Sequence, residues 1–336
     1  MLRLGVVGVG SLGFHHARIL STMPGIAMKG VHDSNAARRN EVAVTLGVTP
    51  HASPDTLLDD VDAVVIAVPT AAHEDAALAA IGRGVHILIE KPIAPTLAAA
   101  DRIVDAADAA GVLVMIGHVE RFNAALRACE PYLEEPLFVE SHRLAPFNAR
   151  GTDVAVVLDL MIHDVDLVLS LMKRPVSSLS AVGVPVLTPS VDIANARLEF
   201  EGGGVANLTA SRVSLERMRK IRFFQRSGYI SLDLAAGKGE YLRLKPGVAA
   251  QMALLTAVPA AGAADRAPLG IQDLVERVSF EGDGTEPLAR ELERFIEAVR
   301  GEAIVPVSGH DGRRALAVAL DIVERTQRHV AAEYSA

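Results

Sequence analysis

Two short segments of this chain hold residues whose types and spacing suit chemistry. Lys91 ends the apolar run His86-Ile87-Leu88-Ile89, inside Glu90-Lys91-Pro92. Such a run reads as a strand buried on both faces. Open α/β sheets bind ligands beyond the carboxyl ends of their strands, so the Lys91 ammonium is expected to face a ligand. The following proline favours an extended or turn backbone there. The second segment is Asp159-Leu160-Met161-Ile162-His163-Asp164-Val165-Asp166. A four-residue offset puts Asp159 and His163 on one helical face. Leu158, Leu160, Ile162 and Val165 make the surroundings apolar, so polar groups here need partners or a task. A histidine in that setting can accept a hydroxyl proton, and a carboxylate one turn away can orient it. A purely local Asp159–His163 pair is the competing structural reading. No cysteine and no H-E-x-x-H pattern supports metal ligation with Asp164 or Asp166, so no metal is expected. Asp166 is expected to be a supporting or solvent-facing acid.

A cofactor site lies further upstream. Gly8-Val9-Gly10-Ser11-Leu12-Gly13 fits G-x-G-x-x-G between a strand and a helix, the context that gives the pattern meaning. Gly8 permits the tight turn, Gly10 lets a pyrophosphate approach the backbone, and Gly13 lets the helix pack on the strand. Free N–H groups at the helix start, around Ser11 and Leu12, then face the anion. Asp33 ends the second strand 20 residues past Gly13, near the spacing of the acid that binds ribose hydroxyls. A carboxylate there accepts from the 2′-hydroxyl and repels a 2′-phosphate, which favours NAD over NADP. Arg38 and Arg39 are the nearby features able to tolerate a phosphate, and a helix cap is a compatible second role for Asp33. Pro69, Glu90 and Lys91 complete the expected cofactor contacts. Hydride transfer from an alcohol needs a base and a group that stabilises charge on oxygen. Lys91 and His163, meeting across a cleft, can supply both.

These residues need a frame. Strands at Leu4–Gly8, Ile26–Asp33, Ala63–Val68, His86–Ile89 and Leu113–Gly117 alternate with helices at Leu12–Thr22, Ala36–Leu46, Ala71–Arg83 and Thr96–Ala110. That rhythm implies βαβ units and a parallel sheet over residues 1–119. From residue 120 to 336 the pattern changes to α+β. One helix is expected from about Val154 to Met172. Six strands follow at Ser178–Val186, Asp192–Phe200, Gly204–Val213, Lys220–Arg226, Tyr229–Leu234 and Glu240–Leu244. Gly202-Gly203 and Ser227-Gly228 suit hairpins, so the sheet should be antiparallel. Lys245–Pro268 reads as a loop, and helices at Pro287–Val299 and Arg313–Ala331 close the chain. A large sheet covered on one face by a helix suggests a homodimer or homotetramer formed through the other.

Composition narrows the classes. The 336 residues are 50% hydrophobic and 22% charged, as in a packed globular protein of about two domains. Cys129 is the one cysteine, so no internal disulfide is possible, which suits a reducing cytoplasm. A net charge of −8 argues against nucleic-acid binding. No apolar stretch approaches the ~20 residues of a membrane span, and the N-terminus reads as a strand rather than a signal peptide. A soluble cytoplasmic protein is expected. Leu137 to Arg226 carries eleven Lys and Arg against nine Asp and Glu. A locally basic substrate region in an acidic chain fits a phosphate-bearing ligand.

The glycine pattern, Glu90-Lys91-Pro92 and the Asp159…His163 segment, in that order, resemble the Gfo/Idh/MocA oxidoreductases across nearly the whole chain. The resemblance implies a Rossmann domain followed by a domain with a large, mostly antiparallel open sheet. It also implies that Lys91 and His163 form the catalytic pair with Asp159 assisting, and that the Lys91-Pro92 bond is cis. One departure is Arg150-Gly151-Thr152-Asp153, where many members carry a Gly-Gly pair before the aspartate. His118-Val119-Glu120-Arg121-Phe122-Asn123, Glu140-Ser141-His142-Arg143-Leu144 and Ala210-Ser211-Arg212 are similar to the nucleotide-sugar branch, the UDP-N-acetylglucosamine 3-dehydrogenases. That resemblance implies a nucleotide-sugar substrate and a role in amino sugars for lipid A or surface glycans. Arg143, Arg150 and Arg212 are the candidates for its anionic groups. Other sugars or polyols, an NAD-dependent redox glycosidase and a non-catalytic sugar or NAD sensor are the rival readings.

Overall fold

The computed structural model describes residues 1–148, 154–248 and 271–334. Its first unit runs β1 (Leu2–Val7), α1 (Ser11–Thr22), β2 (Ile26–His32), α2 (Ala36–Leu46), α3 (Pro54–Leu58), β3 (Ala63–Ile66), α4 (His73–Ile81), β4 (His86–Glu90), α5 (Leu97–Ala110) and β5 (Val114–Gly117). All five strands are parallel, in the order β2-β1-β3-β4-β5. Val64, Val65, Ile87, Leu88 and Ile89 are fully buried, as strands covered on both faces must be. Asn35 and Thr96 cap α2 and α5 through their side chains. The short α3 is not among the expected helices, although Ser53 caps it and Pro54 opens it.

The second unit begins with a 3₁₀ turn at Val119–Phe122 and α6 (Ala124–Cys129), followed by β6 (Phe138–Leu144). A π-helical turn, Val157–Met161, runs into α7 (Ile162–Met172). Then come β7 (Val176–Val184), β8 (Ile193–Phe200), β9 (Val205–Ser211), β10 (Met218–Gln225), β11 (Gly228–Asp233) and β12 (Lys238–Leu244). The chain ends with α8 (Ile271–Leu274), β13 (Val275–Glu281), α9 (Pro287–Val299) and α10 (Gly309–Tyr334). The sheet order is β13-β12-β11-β10-β6-β9-β8-β7, antiparallel except where β6 meets β9.

Eight strands therefore stand where six were expected. β6 lies at the sheet's centre, yet its inward positions are Val139, Ser141 and Arg143, so no apolar alternation announces it. β13 lies at an edge with the mixed sequence Val-Glu-Arg-Val-Ser-Phe-Glu. The expected loop at Lys245–Pro268 falls mostly on residues 249–270, outside those described.

α7 and α10 cover one face of this sheet: Val165, Val168, Ala319 and Ile322 share a core with Ala196, Leu198 and Phe223. The opposite face carries a row of aromatic rings. Phe224 lies between Phe138 and Tyr229, with centroids 5.4 and 5.1 Å away. The end of the chain ties both units together, because Leu288, Leu292 and Phe295 of α9 and Leu316 of α10 enter the first unit's core. Among the described residues no helix is long and apolar enough to cross a membrane.

Candidate active site

The glycine turn after β1 opens α1 at Ser11. A Cβ at Gly13 would fall 1.8 Å from the Gly8 carbonyl oxygen, so only glycine lets helix and turn close. A Cβ at Gly10 would meet nothing within 4 Å, which leaves that backbone open to a ligand. The turn borders a groove of about 750 Å³ lined by Gly8, Gly10, Leu12, Asp33, Pro69, Glu90 and Lys91, among others. Asp33 does more than end β2. Its Oδ2 accepts from Val9 N at 2.8 Å and its Oδ1 from Asn35 N at 2.8 Å. It thereby pins the glycine turn, and each oxygen keeps a lone pair for a ribose hydroxyl. Arg38 is tied to the same turn, with Nε donating to the Val9 carbonyl at 2.9 Å and its guanidinium 5.4 Å from the Phe14 ring centroid. Arg39 donates to the Asp33 carbonyl. These residues fit a dinucleotide: an open turn, a helix start and an acid at the strand end.

Lys91 lines this groove and also a second cavity, of about 290 Å³, with Glu120, Arg143, Asp159, His163, Arg217 and Arg219. The Lys91-Pro92 bond is cis. His73 fixes the turn from below, its ring nitrogens 3.0 Å from the carbonyls of Val68 and Pro92. Lys91 Nζ donates to the Asp159 carbonyl at 2.7 Å and lies 3.7 Å from its carboxylate. Burial lowers the Lys91 pKa from its usual 10.5, while Asp159 and Glu90 oppose the shift.

His163 sits in the first turn of α7. Burial drives its pKa well below the usual 6.5, and the nearby Lys91 and Arg143 charges add to this. The imidazole is therefore neutral at pH 7 and can accept a proton. Its Nδ1 is buried with no hydrogen bond among the described residues. His118 meets it edge to face at 6.3 Å, fully buried, with both ring nitrogens likewise unpartnered. Among the described contacts, Asp159 pairs with Lys91 and not with His163. A neutral imidazole offers a carboxylate no charge, whereas the ammonium does.

The sequence's arginine candidates are placed differently. Arg143 reaches the cavity wall, but its Nε and Nη2 bond Asp164 at 2.7 and 3.1 Å and its Nη1 bonds Glu120 at 2.8 Å. Arg212 is buried and donates to the Val154 carbonyl, away from the cavity lining. Arg150 lies outside the described residues. Asp166 is a buried support, gripped by Arg121 at 2.7 and 2.6 Å. Arg217 and Arg219, which the sequence did not single out, line the cavity instead. Arg217 lies just before β10 and Arg219 is its second residue, so both reach the cavity from the start of that strand.

Under the Lys91 turn lies a buried trio. His16 Nε2 is 2.6 Å from Glu90 Oε1, and Glu291 of α9 approaches both. The 2.6 Å spacing is a hydrogen bond, shorter than the roughly 3 Å expected between two donors on one small cation with ~2.1 Å bonds. Glu291 is fully buried with neither oxygen hydrogen-bonded among the described residues. Burial first, then Glu90, raises its pKa well above 4.5. A carboxyl so raised holds its proton in the folded chain and loses it in the unfolded one as pH climbs past 4.5. Its cost to stability therefore grows with pH until the folded group also ionises. Glu291→Leu should gain stability relative to wild type between pH 4.5 and 8 in urea unfolding. A pH-independent difference would reject a neutral buried Glu291.

A parallel sheet with a glycine turn, joined to a unit in which a helix on an open sheet carries His163, defines a two-domain oxidoreductase of the dinucleotide-binding kind. Residues 2–118 match the oxidoreductase family with the NAD-binding Rossmann fold, and residues 115–231 match the GFO/IDH/MocA C-terminal domain. The chain belongs to the Gfo/Idh/MocA oxidoreductase family, as its motifs suggested. It is 37% identical over 326 residues to the UDP-N-acetylglucosamine 3-dehydrogenase of Acidithiobacillus ferrooxidans, covering 96% of each chain. A solved structure of that enzyme superposes with a TM-score of 0.86 at 33% identity, covering 98% of this chain and 99% of the other. The myo-inositol 2-dehydrogenase of Thermotoga maritima is 25% identical over 94% of this chain and 93% of its own.

Proposed function

We propose that this oxidoreductase uses NAD to oxidise the carbon-3 hydroxyl of a UDP-N-acetylglucosamine-type nucleotide sugar to a ketone. The observation that carries the reading is Lys91, one side chain shared by the dinucleotide groove and the polar cavity of His163. Similarity along the full chain to a UDP-N-acetylglucosamine 3-dehydrogenase supports the substrate class. Gly8, Gly10, Ser11, Leu12 and Gly13 hold the pyrophosphate, Asp33 binds the ribose hydroxyls, and Pro69 and Glu90 border the cofactor groove. NAD supplies the hydride acceptor. His163 takes the hydroxyl proton as the carbon–hydrogen bond breaks and the carbon–oxygen double bond forms. The Lys91 ammonium stabilises the charge growing on that oxygen, and Asp159 holds the ammonium in place. Arg143, bonded to Asp164 and Glu120, shapes the wall.

A 3-keto sugar is open to amination, so a cytoplasmic role in amino sugars for lipid A or surface glycans belongs to this proposal. NADH formation across a panel of nucleotide sugars, free sugars and inositols should give the highest kcat/KM with UDP-N-acetylglucosamine, and with NAD above NADP. A preference for an inositol would remove the substrate assignment.

We also propose a homodimer or homotetramer, formed through the sheet face that carries Phe138, Phe224 and Tyr229. Light scattering at micromolar concentration should show two or four copies, and a monodisperse monomer would reject it.

A further inference from the structure

The cavity that holds Lys91 and His163 is continuous in its lining with a larger one of about 610 Å³, for Val119, Glu120, Arg217 and Arg219 border both. We infer that this second cavity is the nucleoside-diphosphate subsite, with Arg217 and Arg219 gripping the diphosphate where the two cavities join. The inference rests on the nucleotide-sugar reading above and assigns a place to the half of the substrate that does not react.

Size comes first. The smaller cavity, about 290 Å³, suits a single sugar ring, and the rest of a nucleotide sugar must leave it through a shared wall. Charge comes next. Glu120 is held by Arg143 at 2.8 Å, and Arg219 only grazes it at 3.4 Å. Glu286, on the far rim, turns to Arg18 at 2.9 Å. Both acids of the wall thus have an arginine of their own chain, while Arg217 is exposed and Arg219 is half-exposed. Guanidinium groups match phosphate oxygens in a two-pronged fork. Beyond the arginines the walls turn mostly apolar, with Ala124, Leu234, Pro287 and Leu288, and Thr285 is the hydroxyl among them. Flat apolar walls with a few polar groups suit a nucleoside base. Arg143 cannot serve as the diphosphate grip, because three of its nitrogens already meet carboxylates.

The test is UDP binding by calorimetry to the enzyme saturated with NAD, which keeps UDP out of the cofactor groove. Wild type should bind UDP more tightly than UMP. The R217A/R219A double variant should weaken UDP binding by about tenfold or more, as expected for lost charged hydrogen bonds, with NAD affinity unchanged. Ala236→Trp, which adds bulk to the wall of the second cavity and leaves both arginines in the chain, should also weaken UDP binding. It serves as the independent variant should the double one fold poorly. UDP affinity unaltered by either change, or no UDP binding by wild type, overturns the subsite. NADH formed from an unactivated sugar without UDP binding would reject the subsite and leave the redox reading standing. Arginine-dependent UDP binding with no NADH from any sugar would do the reverse.

Discussion

Lys91→Ala should lower turnover by on the order of 10³-fold or more while NAD affinity changes little, because charge stabilisation at the reacting oxygen is lost and the groove's own anchors remain. Gly10, Asp33 and Leu12 still line that groove in the variant. The side chain removed is the one that donates to the Asp159 carbonyl and stands 3.7 Å from its carboxylate. Stopped-flow measurement of cofactor reduction, with NAD binding followed by fluorescence quenching, separates the two effects. An unaffected rate removes Lys91 from the reaction. A rate and an NAD affinity that fall together would make Lys91 a cofactor residue only.

The second large effect belongs to His163→Asn, which keeps a polar group of similar size but no base of useful strength. Loss of a general base is worth roughly 10²–10⁴ in kcat. The pH profile gives this variant a second readout. The proton acceptor must be neutral, and burial with the Lys91 and Arg143 charges holds the His163 pKa well below 6.5. The acid limb of kcat/KM in wild type should therefore lie below pH 6.5 and vanish in the variant. The ammonium must stay charged, and burial lowers the Lys91 pKa, so the alkaline limb should fall below pH 10.5. An acid limb above pH 6.5 that persists in His163→Asn contradicts the assignment of the base.

The first unit was legible because its strands are buried on both faces and α2 and α5 carry side-chain caps. The bounds of α2 and α9 coincide with those read from periodicity. The second sheet was less legible. β6 occupies its centre with Ser141 and Arg143 turned inward, and an inward arginine breaks the alternation that marks a strand. The π turn before α7 also lies beyond any 3.6-residue pattern.

At the site, the residues Lys91, Asp159 and His163 were read from the sequence, and they line one cavity. What spacing could not give was pairing. Asp159 turned to a lysine 68 residues away rather than to the histidine four residues on. Arg143 was read as a basic group for a ligand, yet it neutralises Asp164 and Glu120, which no local pattern reveals. The buried trio did leave a trace. His16 lies with Gly13, Ala17 and Leu20, and Glu291 with Leu288, Leu292 and Phe295, each at i, i+3, i+4 and i+7 spacing. A polar residue in the core stripe of a helix is the sign that such a group exists.

The central claim is that a hydride leaves carbon 3 of the sugar beside Lys91 and His163. UDP-N-acetylglucosamine carrying deuterium at carbon 3 should be incubated with the enzyme and NAD, with an aminotransferase present to draw off the ketone. Mass spectrometry of the reduced cofactor should then show one deuterium. Reduced cofactor without the label would move the chemistry to another carbon, and no reduced cofactor at all would contradict the account.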